Sequence, residues 1–553
     1  MLTYAMTAIR SYGWVLRVDA RLVSRALFQW VARRFPTFVR FAVWSAVAVT
    51  LGMIVGLAAI VLPPTGVFGL VALAGLALLW ALPDLPAVPA RSVRLLFVVV
   101  LVVDLCVPNY YAVQFAGLPW ITMRRLATFP LIVAIALCIA GSSQVRHHLG
   151  RTIGSTKLMS FCIIGFYVSI LLSILSSASP FESLSGAAEA SLTWYVPWLA
   201  LLFVIKDEAD LLKLLRMIGW CAIVVSLAGV LEFILQHRYF VDIIPKPLLS
   251  GMMENNPSFA AMVNMSSYRN GMYRASSIFT VPLSFGEFEA MIAPFGYTFF
   301  LHEQTTRGRT FGLAIVLSSF AAILVSGARG AYMAFLISSA VFIALWVARK
   351  SRFDRRSLAP ATAVVAAVMS FAVVILLILF WTRAHNMVLG GGMEAYSDQG
   401  RYDEWNLALP KIIQNPVTGH GFDVGAGVVG YFTPGGSIPT LDSYVISLLV
   451  ETGIPGFLLF FGAIAAGVWS GVREYLSDGT ERGGLAGGLA CALLAYAIYR
   501  LVLSQQESQT LLYLFIGALM ALARVKRDQH ENETNRRVSG SPRSQRPDNH
   551  VQQ

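Results

Sequence analysis

The stretch RGRTFGLAIVLSSFAAILVSGARGAYMAFLISSAVFIALWVARKSRFDRR, residues 307–356, decides the fold. It holds two apolar runs, 310–327 and 330–348, each long enough to cross a hydrocarbon core of roughly 30 Å. A five-residue turn, Ser326-Gly-Ala-Arg-Gly330, joins them, and arginine and lysine crowd both outer ends. Such a pair reads as two antiparallel membrane helices whose cation-rich ends share the cytoplasmic side. The turn, with Arg329 in it, then lies on the outer side.

The same pattern extends in both directions. Apolar spans are expected at 41–62, 66–83, 93–110, 125–141, 158–177, 186–205, 215–235, 283–301, 310–327, 330–348, 360–381, 441–471, 484–503 and 508–524. Arg91 and Arg94, Arg146 with Arg151 and Lys157, Lys206 with Lys213 and Arg216, Arg307 with Arg309, the run Arg349 to Arg356, and Arg473 with Arg482 mark every second connector as cytoplasmic. With both termini inside, about fourteen crossings (12–14) alternate without conflict. The expected fold class is therefore all-α: a polytopic helix bundle in a bacterial inner membrane. With 56% apolar and 13% charged residues, the chain has membrane rather than soluble composition.

The net charge of +12 follows the positive-inside pattern and does not call for nucleic acid. Cys106, Cys138, Cys162, Cys221 and Cys491 are scattered singly, without the spacing of a zinc site or a disulfide framework. No cluster has the density of a metal site, so no metal and no cofactor is expected. Residues 1–40 form a basic cytoplasmic segment whose Arg10, Arg17, Arg21 and Arg25 share one helical face, suited to an anionic leaflet or simply to solvent. The transmembrane domain is 41–524, and 525–553 reads as a disordered cytoplasmic tail.

Two outward connectors are long, about 236–282 and 382–440, and the second, with glycines at 390–392, 425, 427 and 430 and the turn Thr433-Pro-Gly-Gly436, reads as a folded lid-like segment. Arginine is scarce on the outer side, yet Arg274 precedes a span, Arg329 sits in the tight turn and Arg401 stands in the long connector. Guanidinium groups pinned at the membrane surface suit a phosphate whose lipid tail lies in the bilayer. Each could instead pair with a carboxylate. Asp104, Glu189, Glu232, Glu287 and Arg500 fall in the outward halves of their spans, where ionisable residues line a polar cavity or pair between helices. Glu189 and Arg500 are read as structural.

These motifs resemble the O-antigen ligase and Wzy-type O-antigen and exopolysaccharide polymerase superfamily of bacterial membrane glycosyltransferases. The resemblance is carried by Arg274-Ala-Ser-Ser-Ile-Phe-Thr-Val-Pro282 with Phe285-Gly286, by Ser326-Gly-Ala-Arg-Gly330, and by a third block. That block runs from Arg401-Tyr-Asp-Glu-Trp405 through Asn415-Pro-Val-Thr-Gly-His-Gly-Phe422 to Asp442-Ser-Tyr444 and Glu451-Thr-Gly-Ile-Pro-Gly456. It covers about 268–460; the helices before it match in hydropathy alone.

The resemblance implies a GT-C-like bundle with its active site on the periplasmic face. It implies an undecaprenyl-diphosphate-linked glycan as donor, a saccharide acceptor, and Arg274 and Arg329 on the pyrophosphate, with Arg401 beside them. A flippase and a chain-length regulator are the partners such a pathway uses. Many ligases carry a His-Asn pair where this chain has Asp442-Ser443, a departure that favours polymerisation over ligation. Asp442 is the candidate general base and His420 the reserve. A ligase using the same donor is the alternative. A solute transporter fits the helix count but not the absence of internal repeats.

Overall fold

A computed structural model describes residues 90–113, 121–255, 259–260, 263, 267–269, 271–354, 358–380, 393–432 and 439–539. The spans expected at 41–62 and 66–83, the basic segment 1–40 and the Thr433–Gly436 turn lie outside the described residues. The chain divides into two compact units, 1–89 with 136–146 and 90–135 with 147–553, and the candidate functional residues all fall in the second.

In chain order the helices are α1 (Ala90–Cys106), α2 (Met123–Gly141), α3 (Ser143–Ser155), α4 (Lys157–Ile174) and α5 (Pro180–Ala190), then a π-turn (Ser191–Tyr195) leading into α6 (Val196–Val204). There follow α7 (Glu208–Leu235), α8 (Tyr239–Asp242), α9 (Lys246–Asn255), α10 (Pro282–His302), α11 (Thr306–Ser326), α12 (Arg329–Phe353) and α13 (Ala359–Phe380). The series ends with α14 (Met393–Gln414), α15 (Gly425–Val429), α16 (Tyr444–Ser477), α17 (Glu481–Tyr499) and α18 (Gln509–Ser539). Two antiparallel hairpins, Ala112–Val113 with Ile121–Thr122 and Tyr268–Arg269 with Met272–Tyr273, decorate connectors.

Among the described residues nine helical segments are long and apolar enough to cross a membrane. The protein is thus an all-α, multi-pass membrane bundle. Helices α17 and α18 are its interior, with 83% and 89% of their apolar windows buried, against 28% for α11 and 33% for α12. The exposed faces of α11 and α13 carry Leu317, Phe320, Val365, Val368 and Leu376, as contact with lipid tails requires.

Helix ends follow local chemistry. Asp207 caps α7 by accepting from the Asp210 N–H at 2.8 Å, and Thr305 caps α11 by accepting from Gly308 at 3.1 Å. Gly327 closes α11 at φ 57°, a left-handed C-cap that lets the chain reverse into α12 within three residues.

Two proline breaks locate functional segments. Pro197 has no N–H for the Thr193 carbonyl, so the turn widens and the Thr510 hydroxyl donates to that carbonyl at 3.0 Å. Helix α16, expected as one span, is broken at Gly453 (φ 69°, ψ −175°), a conformation in which a Cβ would stand 2.7 Å from the Pro416 carbonyl oxygen. The segment 416–421 enters the break. Ile454 N–H donates to Pro416 O at 2.8 Å, while Val450 O and Glu451 O accept from the His420 and Gly421 amides at 2.8 and 3.1 Å.

The segment expected as a tail from 525 is helical at its start: α18 runs on to Ser539, and the residues beyond it lie outside those described. Its polar half is held by contacts that composition does not display, Lys526 to Glu474 at 2.7 Å and Arg151 to Asp528 and Glu531 at 2.6 and 2.8 Å.

Candidate active site

The connectors sort into two polar ends. At one end Arg94 meets Asp210 (3.2 Å), Arg216 meets Glu303, Arg482 meets Glu208 (2.7 Å), and Arg349 donates to the carbonyls of Asp478 and Thr480 (2.8 and 2.6 Å). These are the connectors read as cytoplasmic. Those read as outward meet one another at the other end. Asn109 and the Thr280 amide both donate to Glu507 (3.3 and 3.1 Å), Ser176 to the Gly419 carbonyl (2.8 Å), and Ser504 to the Leu441 carbonyl. A single helix out of phase would have mixed the two sets.

Two of the three motif arginines, Arg274 and Arg329, come together at the outward end. The Arg274 backbone continues onto the end of α11, with Ala275 N–H donating to Val325 O at 3.0 Å, and its Nε donates to the Ser326 carbonyl at 2.9 Å. That clamps Arg274 onto the turn that carries Arg329. Arg329 begins α12, whose dipole also places partial positive charge at this end, so both favour an anion. Gly330 backs onto Tyr499 so closely that a methyl group there would stand 3.1 Å from the ring.

Beneath them lies a closed polar floor. Arg500, wholly buried, bonds Glu287 at 2.7 Å and lies over the rings of Tyr496 and Tyr444, 4.6 and 5.1 Å from their centroids. Gln509 donates to the Tyr444 hydroxyl at 2.7 Å. Arg124 with Asp104 (2.5 Å) and Arg125 with Glu189 (2.6 Å) complete the pairing. These acids were expected to line a cavity or to pair. Three are in ion pairs, and Glu232 is buried on backbone amides, so they build the wall rather than a cavity.

Asp442 directly precedes α16, and its backbone N–H donates to both oxygens of Glu404 at 3.0 and 3.1 Å. Glu404 is 1% exposed and projects from α14 one turn beyond Arg401. Burial, and then the charge of Asp442, push its carboxyl up to about 7, against the lowering pull of the amide bonds and Arg401. In the sequence Glu404 is one of five residues in the Arg401–Trp405 block, with no part of its own. The signal was there: three-residue spacing on a helix puts Arg401 and Glu404 on one face.

His420 is placed differently. Its ring nitrogens meet the Lys411 carbonyl (2.8 Å) and the Asn415 amide (3.3 Å), and its backbone plugs the break in α16. Beside that break Glu451 accepts from the Ser447 hydroxyl (2.8 Å) and the Gly425 amide (3.3 Å). The neighbouring Asp423 carboxyl is raised to about 6 by burial and then by Glu189 and Glu182. Among the described residues no group of three or more His, Cys, Asp or Glu is arranged to hold a metal.

Residues 313–461 match the model of the O-antigen ligase family. The matched segment runs from α11 into α16 and includes Arg329, Arg401, Glu404, His420, Asp442 and the Gly453 break, but not Arg274, Tyr499 or Arg500. The general activity that comes with this family is ligase- or polymerase-type glycan transfer by a membrane protein. No curated protein matches the chain.

Proposed function

We propose that this protein is a glycosyltransferase that polymerises undecaprenyl-diphosphate-linked repeat units of an O-antigen or exopolysaccharide on the periplasmic face of the inner membrane. The observation that carries the reading is that the Arg274 segment is clamped onto the Arg329 turn, which packs on Tyr499, while Leu441, beside the Glu404-held Asp442, accepts from Ser504 at the same end of the bundle. A lipid diphosphate is already a good leaving group. The protein then needs cations for the departing charge, a fixed acceptor hydroxyl and a group to take its proton.

Arg274 and Arg329 would bind the diphosphate oxygens, with Arg401 adding charge from the long connector. Asp442 would accept the proton of the acceptor hydroxyl as the glycosidic carbon is attacked and the bond to the lipid diphosphate breaks. Glu404 is a positioning residue in this scheme, holding the backbone from which Asp442 projects. His420 is less suited to the base role, since both of its ring nitrogens meet the chain's own groups. Aspartate in place of the ligase histidine favours polymerisation; transfer of finished glycan from the same donor is the second reading.

Profiling lipid-linked glycans in a deletion strain separates the two. Loss of a polymerase leaves single repeats on the lipid, and loss of a ligase leaves long lipid-linked chains. An unchanged glycan profile accompanied by a solute-uptake defect would refute both.

A further inference from the structure

The inward end holds a pocket that glycan transfer does not use. It occupies about 340 Å³ between α3 and the start of the polar half of α18, lined by Gly150, Arg151, Gly154, Arg524, Arg527 and Asp528 among others. Gly150 and Gly154 lie one turn apart on α3, and nothing stands within 4 Å of where a Cβ on either would be. Any larger side chain there would project into open space at the pocket.

The charge in the pocket is specific. Arg524 is 4% exposed; its terminal nitrogens donate to the Ile205 and Lys206 carbonyls (2.8 and 3.1 Å) and meet the His148 ring (3.0 Å), while its Nε has no hydrogen-bond partner. Burial and the neighbouring Arg524 push the His148 imidazole down, which keeps it neutral at physiological pH. Arg151 meets Asp528 and Glu531, and Arg527 meets Glu531 at 3.0 Å. The lining thus carries three guanidinium groups and the Asp528 carboxylate, with Glu531 outside it pairing Arg151 and Arg527. Those ion pairs are a third to two thirds exposed, so they are weak and exchangeable.

We infer that this pocket binds the phosphodiester of an anionic phospholipid from the inward leaflet, fastening α3 to α18. The excess of guanidinium over carboxylate in the lining calls for an anion. Depth agrees: Arg524 ends the apolar run 508–524, at the level where lipid phosphates lie, and α3 is a short polar helix beside it. The exchangeable forks of Arg151 and Arg527 supply bidentate donors to the phosphate oxygens, the Arg524 Nε adds a further donor, and the two glycines leave room for the glycerol.

The test uses the full-length protein in a non-ionic detergent, titrated with dioleoyl phosphatidylglycerol, dioleoylglycerol or inorganic phosphate, with bound lipid read by native mass spectrometry and stability by Tm. Saturable binding of phosphatidylglycerol is expected, weaker by about tenfold in Gly150→Leu and in the exposed Arg527→Gln, in line with losing a bidentate phosphate contact. Arg473→Gln, an exposed inward charge away from the pocket, should bind as the native protein does. Three results would overturn the inference: equal phosphatidylglycerol binding in Gly150→Leu and Arg527→Gln, an equal loss in Arg473→Gln, or displacement of the lipid by inorganic phosphate at comparable concentration, which would make it a free-anion site.

Discussion

The two polar ends of the bundle use their carboxylates differently. At the inward end they pair with arginine or lysine across loops: Asp210 with Arg94, Glu303 with Arg216, Glu208 with Arg482, Glu474 with Lys526. At the outward end, beside ion pairs such as Arg500 with Glu287, several accept amides from segments far along the chain, whereas inward Asp207 and Asp478 take only the local amides of Asp210 and Thr480. Glu232 takes those of Ser276 and Ser277 (3.2 and 2.6 Å), Glu404 that of Asp442, Glu451 that of Gly425 and Glu507 that of Thr280. An ion pair between flexible side chains tolerates movement, whereas a carboxylate on a main-chain amide fixes φ and ψ of the segment it holds. Ser277 shows the consequence: it keeps a left-handed φ of 53°, uncommon for a non-glycine residue, while Glu232 grips its amide. The inward end is anchored; the outward end is pre-organised, as a reacting centre has to be.

Breaking the outward arginines should have the largest effect. Bidentate diphosphate binding depends on the planar fork, so Arg329→Lys and Arg274→Ala should each lose on the order of a hundredfold or more in polymer synthesis while inserting normally. Native turnover in both would remove the diphosphate clamp. Asp442→Asn comes next: shape and hydrogen-bonding reach survive, and turnover should fall by roughly a hundredfold with donor binding retained. Near-native synthesis in Asn would exclude Asp442 as the base. High activity in Asp442→His would show that the aspartate and the ligase histidine are exchangeable.

A third change sharpens the contrast between the ends. Glu404→Gln keeps the volume but offers the Asp442 amide only a neutral acceptor, and turnover should fall about tenfold, the scale of losing an orienting partner. The pH dependence gives an independent reading. A carboxyl raised to about 7 in the folded protein binds a proton there that the unfolded chain, near its ordinary 4.5, has already lost. Its stabilising contribution is therefore fully present below about 4.5 and is lost as pH rises to about 7. Activity should run the other way, rising through pH 7 as the carboxylate forms, and Glu404→Gln should flatten both trends. The smallest effect belongs to the inward end: Arg216→Gln should change stability by no more than about 1 kcal/mol and leave turnover within about twofold, since its partner is Glu303 and its own side chain is 44% exposed.

The spans and their alternation were legible because hydropathy and lysine-arginine bias are local signals, as the stretch 307–356 shows by itself. Arg274, Arg329 and Arg401 were legible for the opposite reason, as cations on the side where cations are scarce. What stayed hidden depends on partners far along the chain. The Gly453 break exists because 416–421 supplies the hydrogen bonds that Pro455 and the distorted glycine remove, a contact across more than thirty residues. The part played by Glu404 depends on the amide of Asp442, nearly forty residues further along the chain, and its charge alone did not distinguish it from Asp403 beside it. Whether Asp104 and Glu287 line a cavity or pair stayed open because their arginine partners sit on other elements.

The central claim, that the outward end takes a lipid diphosphate donor and elongates its glycan, is tested most directly by reconstituting the purified protein in vesicles with an undecaprenyl-diphosphate-linked repeat unit and resolving the products by length. The account predicts a ladder of longer lipid-linked chains with release of undecaprenyl diphosphate from the donor, abolished in Arg274→Ala and Arg329→Lys. Intact donor with no longer product in the native protein, or an undiminished ladder in those two variants, would contradict it.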